Sequence, residues 1–304
     1  MKEYNNRQKA NKFAEYITGQ GLRKYLAKKV ERYCGKNATV FDGAAGSGQL
    51  EEHIKPAELC AVEIQPEPCE LLEENFEKVE VNNISFFNYD NPKYFQKFDA
   101  VVMNPPFSLK FKDLSEEEKE NIQEEFPWKK SGVVDDIFIL KSLKYTKRYA
   151  FYIMFPGIAY RKTEIKMREL IGKRLKELNV IQNAFEDTNI NVLFLVIDKE
   201  KTTDVLHNEI YDCKTKQIKF EEYGRIDPDF YWNIPSEPKI EEEIDIDAIN
   251  LELEEITLNH IKNHLESQMV LIRQFNADID LMRFISKAYD ILNDYELRLN
   301  FGAE

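Results

Sequence analysis

The chain has 304 residues, 43% of them apolar, which suits one large globular domain or two small ones and excludes a disordered polymer. Its net charge of −13 argues against uniform binding of phosphates. The charge is uneven, however: residues 1–36 carry ten Lys/Arg against three acids, residues 141–176 carry eleven against two, and the remainder totals −29.

Residues 6–33 read as one or two basic helices containing Phe13, Tyr16, Ile17 and Leu22. Ala38 to Phe41 is a short β-branched apolar run, hence a buried strand, and it enters the stretch Asp42-Gly43-Ala44-Ala45-Gly46-Ser47-Gly48. From Gln49, the spacing of Leu50, His53 and Ile54 predicts a short helix. Glycines at such a strand–turn–helix junction let backbone N–H groups approach a nucleotide-like ligand. A second strand, Leu59 to Val62, ends in Glu63, 21 residues after Asp42, the position at which a doubly wound fold holds ribose hydroxyls. The pattern is not G-x-G-x-x-G, and Asp42 precedes the glycines, where it can pair with an ammonium group. S-adenosylmethionine is therefore expected in preference to a dinucleotide.

Pro66 to Phe76 reads as a helix with proline in its first turn, and Val79 to Phe87 as a third strand ending at Asn88-Tyr89-Asp90. Asp90 is a candidate acceptor for the adenine amino group of the cofactor, with Tyr89 flanking the ring; an Asx turn into Asn91-Pro92 is the alternative. Phe98 to Met103 is the fourth strand, stopped by Asn104-Pro105-Pro106-Phe107. Two successive prolines fix an extended turn and remove two donors. The Asn104 side-chain oxygen and the Pro105 carbonyl then remain as acceptors for the two hydrogens of one amino group. Phe107 offers a face for a base flipped out of its stack. The polar stretch Ser108 to Asp135 is expected either to close over that base, with Trp128 or Lys129 touching nucleic acid, or to be a solvated excursion.

A helix (Asp136 to Lys147), a strand (Ala150 to Phe155), a basic helix (Lys162 to Leu178) and two strands to Val196 follow, then a small hairpin from Val205 to Tyr223. Pro228, Pro235 and Pro238 mark a linker. Beyond it Leu258, Ile261, Leu265, Gln268, Ile272, Phe275, Ile279 and Met282 repeat at 3-4 spacing, a coiled-coil seam that packs on the chain itself or on a partner. His260 and His264 stand four apart without an intervening catalytic Glu and read as a solvated face, so no metal is expected. The apolar run Ala150 to Tyr160 is broken by Pro156 and Gly157, and Met1 to Lys12 is polar, so neither a membrane span nor a signal peptide is expected. Cys34, Cys60, Cys69 and Cys213 lack CxxC spacing and read as free thiols in a cytoplasmic protein.

These motifs resemble the N6-adenine DNA methyltransferases, and within them the modification subunits of type I restriction–modification systems. The family's first motif commonly reads Asp-Pro-Ala-Cys-Gly-Ser-Gly; here Gly43 replaces the proline and Ala45 the cysteine, while Asn104 to Phe107 match unchanged. Asp136 to Leu140, Tyr149 to Pro156 and Asn179 to Asp198 resemble later core elements, and the likeness covers most of residues 10–270. Counterparts of the family's N-terminal helical domain and of a target-recognition domain are not recognised.

The resemblance implies a doubly wound α/β, Rossmann-like, S-adenosylmethionine-dependent methyltransferase sheet with a C-terminal helical arm. Its expected divisions are a cofactor-covering segment (1–36), a catalytic domain (37–200), a hairpin and linker (201–240) and a helical arm (241–304). The implied activity is methylation of adenine N6 in double-stranded DNA, with Asn104, Pro105, Pro106 and Phe107 catalytic. Cofactor contacts are expected from Phe13, Tyr16, Thr18, Asp42, Gly43, Ala44, Gly46, Gly48, Glu63, Ile64, Tyr89, Asp90 and Asn104. A specificity subunit or a second copy is the partner expected at the C-terminal helices. An RNA or protein-glutamine methyltransferase, or a non-catalytic cofactor-binding scaffold, are the alternatives.

Overall fold

In the computed structural model, residues 1–2, 18–185, 190–237 and 246–301 are described. The chain divides into two compact units, Met1–Pro238 and Lys239–Glu304. The first is built on a nine-stranded sheet in the order β3-β2-β1-β4-β5-β7-β6-β8-β9. Strands β1 (Thr39–Asp42), β2 (Glu58–Glu63), β3 (Val79–Asn83), β4 (Phe98–Met103) and β5 (Thr146–Met154) are mutually parallel. Antiparallel β7 (Val192–Asp198) lies between β5 and β6 (Leu175–Gln182), and β8 (Val205–Asp212) and β9 (Gln217–Arg225) complete the edge.

Strand periodicity explains why both faces are covered. Val40, Ala100, Val102, Phe151 and Phe194 join one core, with Leu22 and Leu26 of α1 (Gln20–Cys34) and Leu72 of α2 (Pro66–Asn75). Their neighbours Phe41, Val101, Met103, Tyr152 and Leu195 point the other way. There they meet Ile122 of α3 (Glu116–Glu125), Ile137 and Phe138 of α4 (Asp135–Ser142) and Met167 of α5 (Ile165–Ile171). This is the expected doubly wound arrangement.

Several boundaries differ from the sequence reading. No helix follows Gln49: residues 46–54 are a run of turns, closed by the Ile54 and Lys55 N–H groups on the Glu51 carbonyl and ended by Lys55 at φ +52 and Pro56. The predicted helix to Lys147 stops at Ser142, and β5 begins at Thr146. The predicted helix Lys162–Leu178 breaks at Gly172 (φ +51), after which Leu175 already pairs with β7. The third strand ends at Asn83 rather than Phe87. The hairpin is no separate appendage, because β8 pairs with β6 and continues the main sheet. Ser108 to Asp135 is not a solvated excursion either: Ser115 and Glu118 form a capping box at the start of α3, and Phe111, Leu114, Ile122 and Phe126 are buried.

A charged network ties α1 to β6 and β8. Lys29 Nζ donates to Glu177 (2.6 Å) and Glu209 (2.8 Å), both buried. Tyr25 donates to Glu209 at 2.7 Å, Tyr33 to Glu177, and Asn179 Nδ2 to Glu177 at 2.7 Å. His207 pairs with Glu221 at 2.8 Å and lies 3.6 Å from Glu177. Glu177, His207 and Glu209 are close enough to chelate a cation, but the Lys29 ammonium already occupies both carboxylates.

The second unit contains α6 (Ile246–Phe275) and α7 (Leu281–Phe301). The seam runs over this helix pair: Asn276 takes φ +50 between the two, and Asp280 caps α7 by accepting from the Met282 and Arg283 N–H groups at 2.9 and 3.2 Å. His260 and His264 are exposed, as expected, and the His264 ring stacks on Phe284 at 4.6 Å, a contact between the two helices. No helix among the described residues is long and apolar enough to cross a membrane.

Candidate active site

Strands β2, β1 and β4 are neighbours and parallel, so their carboxyl ends deliver Glu63, Asp42 and Asn104 to one rim, where the strand order reverses. Asp42 Oδ1 accepts from the Ala44 N–H at 2.7 Å, tightening the turn. A Cβ on Gly43 would lie 2.7 Å from the Phe86 ring and 2.9 Å from the Met103 methyl. Gly48 has φ +81, and a Cβ there would come within 2.3 Å of the Phe76 ring, so only glycine fits. Glu63 ties the turn to β2: its carboxylate accepts from the Gly46 N–H (2.9 Å) and the Gln65 N–H (2.8 Å). Ile64, next in sequence, is exposed on the rim, and Ala44 packs partly buried against the core.

Asn104 is oriented by Thr18. The Asn104 amide nitrogen donates to Thr18 Oγ1 at 3.0 Å, while its buried Oδ1 meets no donor among the described residues. Arg23, buried at the start of α1, donates to the Thr18 carbonyl at 2.7 Å, to Glu52 at 2.9 Å and to Gln49 at 3.1 Å. One guanidinium thus locks the Asn104 support to the glycine turn. Pro105 is buried and Pro106 half-buried. Phe107 is not an open platform: it is 6% exposed, with the Phe185 ring edge-on at 6.2 Å and the half-buried Phe155 at 6.5 Å.

The following residue, Ser108, has φ +60 and is held by a brace, its N–H donating to Asp135 at 3.0 Å. Arg161 binds Asp135 at 3.4 Å and sits 5.3 Å from the Phe155 ring centre. Burial pushes the Asp135 carboxyl up to about 6, with Arg161 opposing the shift. Nothing in the sequence pattern singled out Arg23, Glu51, Asp135 or Arg161, because each acts through a tertiary contact.

Glu51 is the largest omission. Neither oxygen of this fully buried carboxyl meets a donor among the described residues, and the same holds for Asp42 Oδ2. The two carboxyls are neighbours in the buried turn. Burial first, and then the neighbouring charge of Glu51, push Asp42 well above the usual carboxylate range; burial pushes Glu51 up to about 7.

Other expected residues are placed elsewhere. Tyr89 is buried against Phe41 and Tyr145, while Asp90 is exposed and pairs with Lys144 at 2.8 Å. Lys129 cannot reach nucleic acid, because it is buried with its ammonium 2.6 Å from Asp136. Trp128 packs partly buried on the core. Phe13 and Tyr16 lie outside the described residues. The basic segment 141–176 is largely neutralised: Lys144, Lys147, Arg148, Arg161, Lys166 and Lys176 face acids, and Lys141 and Arg168 donate to backbone carbonyls inside the protein. On α1, by contrast, Lys24, Lys28 and Arg32 form an exposed stripe at four-residue spacing.

Comparison with solved structures supports the fold. The chain is similar to a type I restriction–modification methyltransferase subunit from Streptococcus thermophilus (19% identity, TM-score 0.61), covering 73% of this chain and 59% of that one. It also resembles a modification subunit of a type I restriction enzyme from Vibrio vulnificus (16% identity, TM-score 0.52; 67% and 50% covered). A class I S-adenosylmethionine-dependent methyltransferase from Listeria monocytogenes matches at 14% identity and TM-score 0.53, with 64% and 65% covered. The chain therefore spans only about half to three fifths of the first two relatives. The N-6 DNA methylase family matches residues 1–268, and on that match the chain belongs to this methyltransferase family.

Proposed function

We propose that the protein transfers a methyl group from S-adenosylmethionine to the N6 amino group of adenine in DNA, as the modifying activity of a restriction–modification system. The observation that carries this reading is Asn104 Oδ1, a buried acceptor without a donor among the described residues, at the end of β4 beside the glycine turn. Leaving such an atom unpaired costs about 1–3 kcal/mol, so a substrate N–H is its natural partner. Thr18 holds the amide nitrogen and thereby fixes which edge of Asn104 faces the substrate.

With the Pro105 carbonyl as second acceptor, the turn grips both hydrogens of an exocyclic amino group and leaves its lone pair directed at the methyl donor. Bound S-adenosylmethionine would supply the methyl group as an electrophilic carbon on sulfonium. The residues present suit that cofactor: Asp42 and Glu51 offer uncompensated oxygens to its ammonium group, and the close approach at Gly43 and Gly48 keeps side chains out of the turn. Glu63 and the exposed Ile64 stand on the adjoining strand end, for the ribose and the adenine. The half-buried Phe155, packed beside the buried Phe107, is the face offered to a flipped base.

Lys24, Lys28 and Arg32 are the phosphate contacts favoured by this reading. The helical hairpin, with Leu258, Ile261, Met269 and Phe275 exposed, fits a specificity subunit or a second copy. The test is transfer of labelled methyl to unmethylated duplex DNA, with the product base identified. Label in N6-methyladenine, reduced at least ~100-fold by Asn104→Ala, supports the reading. Label found only in RNA or protein, or an undiminished rate in Asn104→Ala, sinks it.

A further inference from the structure

Asp42 closes β1, and the turns after the glycines bring Glu51 back so that its carboxyl faces that of Asp42. Of the four oxygens, only Asp42 Oδ1 has a donor, the Ala44 N–H at 2.7 Å; the other three have none among the described residues. Two bare carboxylates in contact inside a protein cannot both stay ionised, because neither desolvation nor like-charge repulsion is offset.

Among the described residues, no basic side chain is directed at the pair. Glu63, at the end of β2, adds further negative charge. Arg23 of α1 is directed at the Thr18 carbonyl, Glu52 and Gln49, and His53 lies 3.8 Å from Glu52. Within the described residues, a proton or an added cation is therefore what can balance this pair.

We propose that Asp42 and Glu51 share one proton when the ligand is absent, and that the α-ammonium of the bound cofactor displaces it to solvent. Glu51 is then a positioning residue: it holds Asp42 in a neutral pair until a cation arrives, and it couples cofactor capture to pH. The inference rests on the S-adenosylmethionine reading above. Burial, which raises both carboxyls, agrees with it. Because binding expels a proton, affinity falls as pH falls, by up to about tenfold per unit below the pair's titration.

The test is calorimetric titration of the full chain with S-adenosylhomocysteine, a non-reacting ligand with the same ammonium, in two buffers of different ionisation enthalpy. Release of about one proton per ligand near pH ~6, falling towards zero near pH ~8, is expected. Methylthioadenosine, which lacks the amino-acid end, should release none. Glu51→Gln should bind S-adenosylhomocysteine without releasing a proton at any pH. Binding by the unaltered chain with no release, or release undiminished in Glu51→Gln, overturns the proposal and leaves the cofactor reading intact. Infrared spectra of the ligand-free chain supply a separate readout: the C=O stretch of a protonated buried carboxyl should be present near pH ~6 and altered in Glu51→Gln. Its absence overturns the shared proton whatever the calorimetry gives. The band without any binding of S-adenosylhomocysteine overturns the ammonium step together with the cofactor reading.

Discussion

Two buried polar clusters of this protein obey opposite rules. Between α1 and the β6–β8 side of the sheet, Lys29, Glu177, Glu209, Asn179 and Tyr25 satisfy one another almost completely. At the carboxyl ends of β1 and β4, Asp42, Glu51 and Asn104 keep buried oxygens that nothing among the described residues satisfies. Since buried polar groups in folded proteins are nearly always paired, the first cluster reads as structure and the second as a site shaped for something else. Carboxylates buried to the same degree divide by whether their partners are already inside the fold.

The contrast is broken most directly by removing one partner from the saturated cluster. Lys29→Met should destabilise the chain by about 3–5 kcal/mol in urea unfolding, because it strands two buried carboxylates. A loss below about 1 kcal/mol would mean that the network is not a structural latch. Asn104→Ala, in contrast, is expected to abolish transfer while leaving the unfolding midpoint close to that of the parent.

The pH profile sharpens the comparison further. Burial tends to raise Glu177, but the neighbouring His207 and the Lys29 ammonium outweigh it and hold the carboxyl down from 4.5 to about 2. Its stabilisation is therefore complete above about pH 4.5 and lost as pH falls towards 2. His207 is raised from 6.5, chiefly by the Glu177 carboxylate 3.6 Å away, so its share is complete below 6.5 and lost as pH rises through the raised value. Thermal melts should accordingly be most favourable between about 4.5 and 6.5 for this cluster, and Glu177→Gln should flatten both limbs. Unchanged limbs in Glu177→Gln would assign the profile to other groups.

The smallest effect is expected at the junction between the clusters. Thr18→Val keeps the shape but removes the acceptor of the Asn104 amide. A roughly tenfold fall in kcat with little change in cofactor affinity is expected, about the value of one positioning hydrogen bond. An unaltered kcat would show that Asn104 needs no such support.

Where these residues could be read in advance, local chemistry was enough. Asp42 to Gly48 announced a turn because Gly43 and Gly48 admit no side chain, and Asn104-Pro105-Pro106-Phe107 had to end β4 because proline cannot continue it. The alternation along β1, β2 and β4 foretold strands buried on both faces, and residue Glu63 fell where the second strand had to end. By contrast, Tyr89 and Asp90 are adjacent in sequence, yet the first is buried in the aromatic core while the second is exposed beside Lys144. Lys129 stood in a polar stretch, but burial against Asp136 removes it from the surface.

The sequence by itself thus determined the order of strands and turns and the two motifs, since these depend on backbone sterics and on apolar periodicity over a few residues. Only the tertiary structure decided which charges are spent inside the protein. It brought Glu51 beside Asp42 and Thr18 onto Asn104, and it set Lys29 between Glu177 and Glu209. Pairings across as many as 180 residues leave no local trace, and burial makes each of them decisive by removing the water that would otherwise take either partner's place.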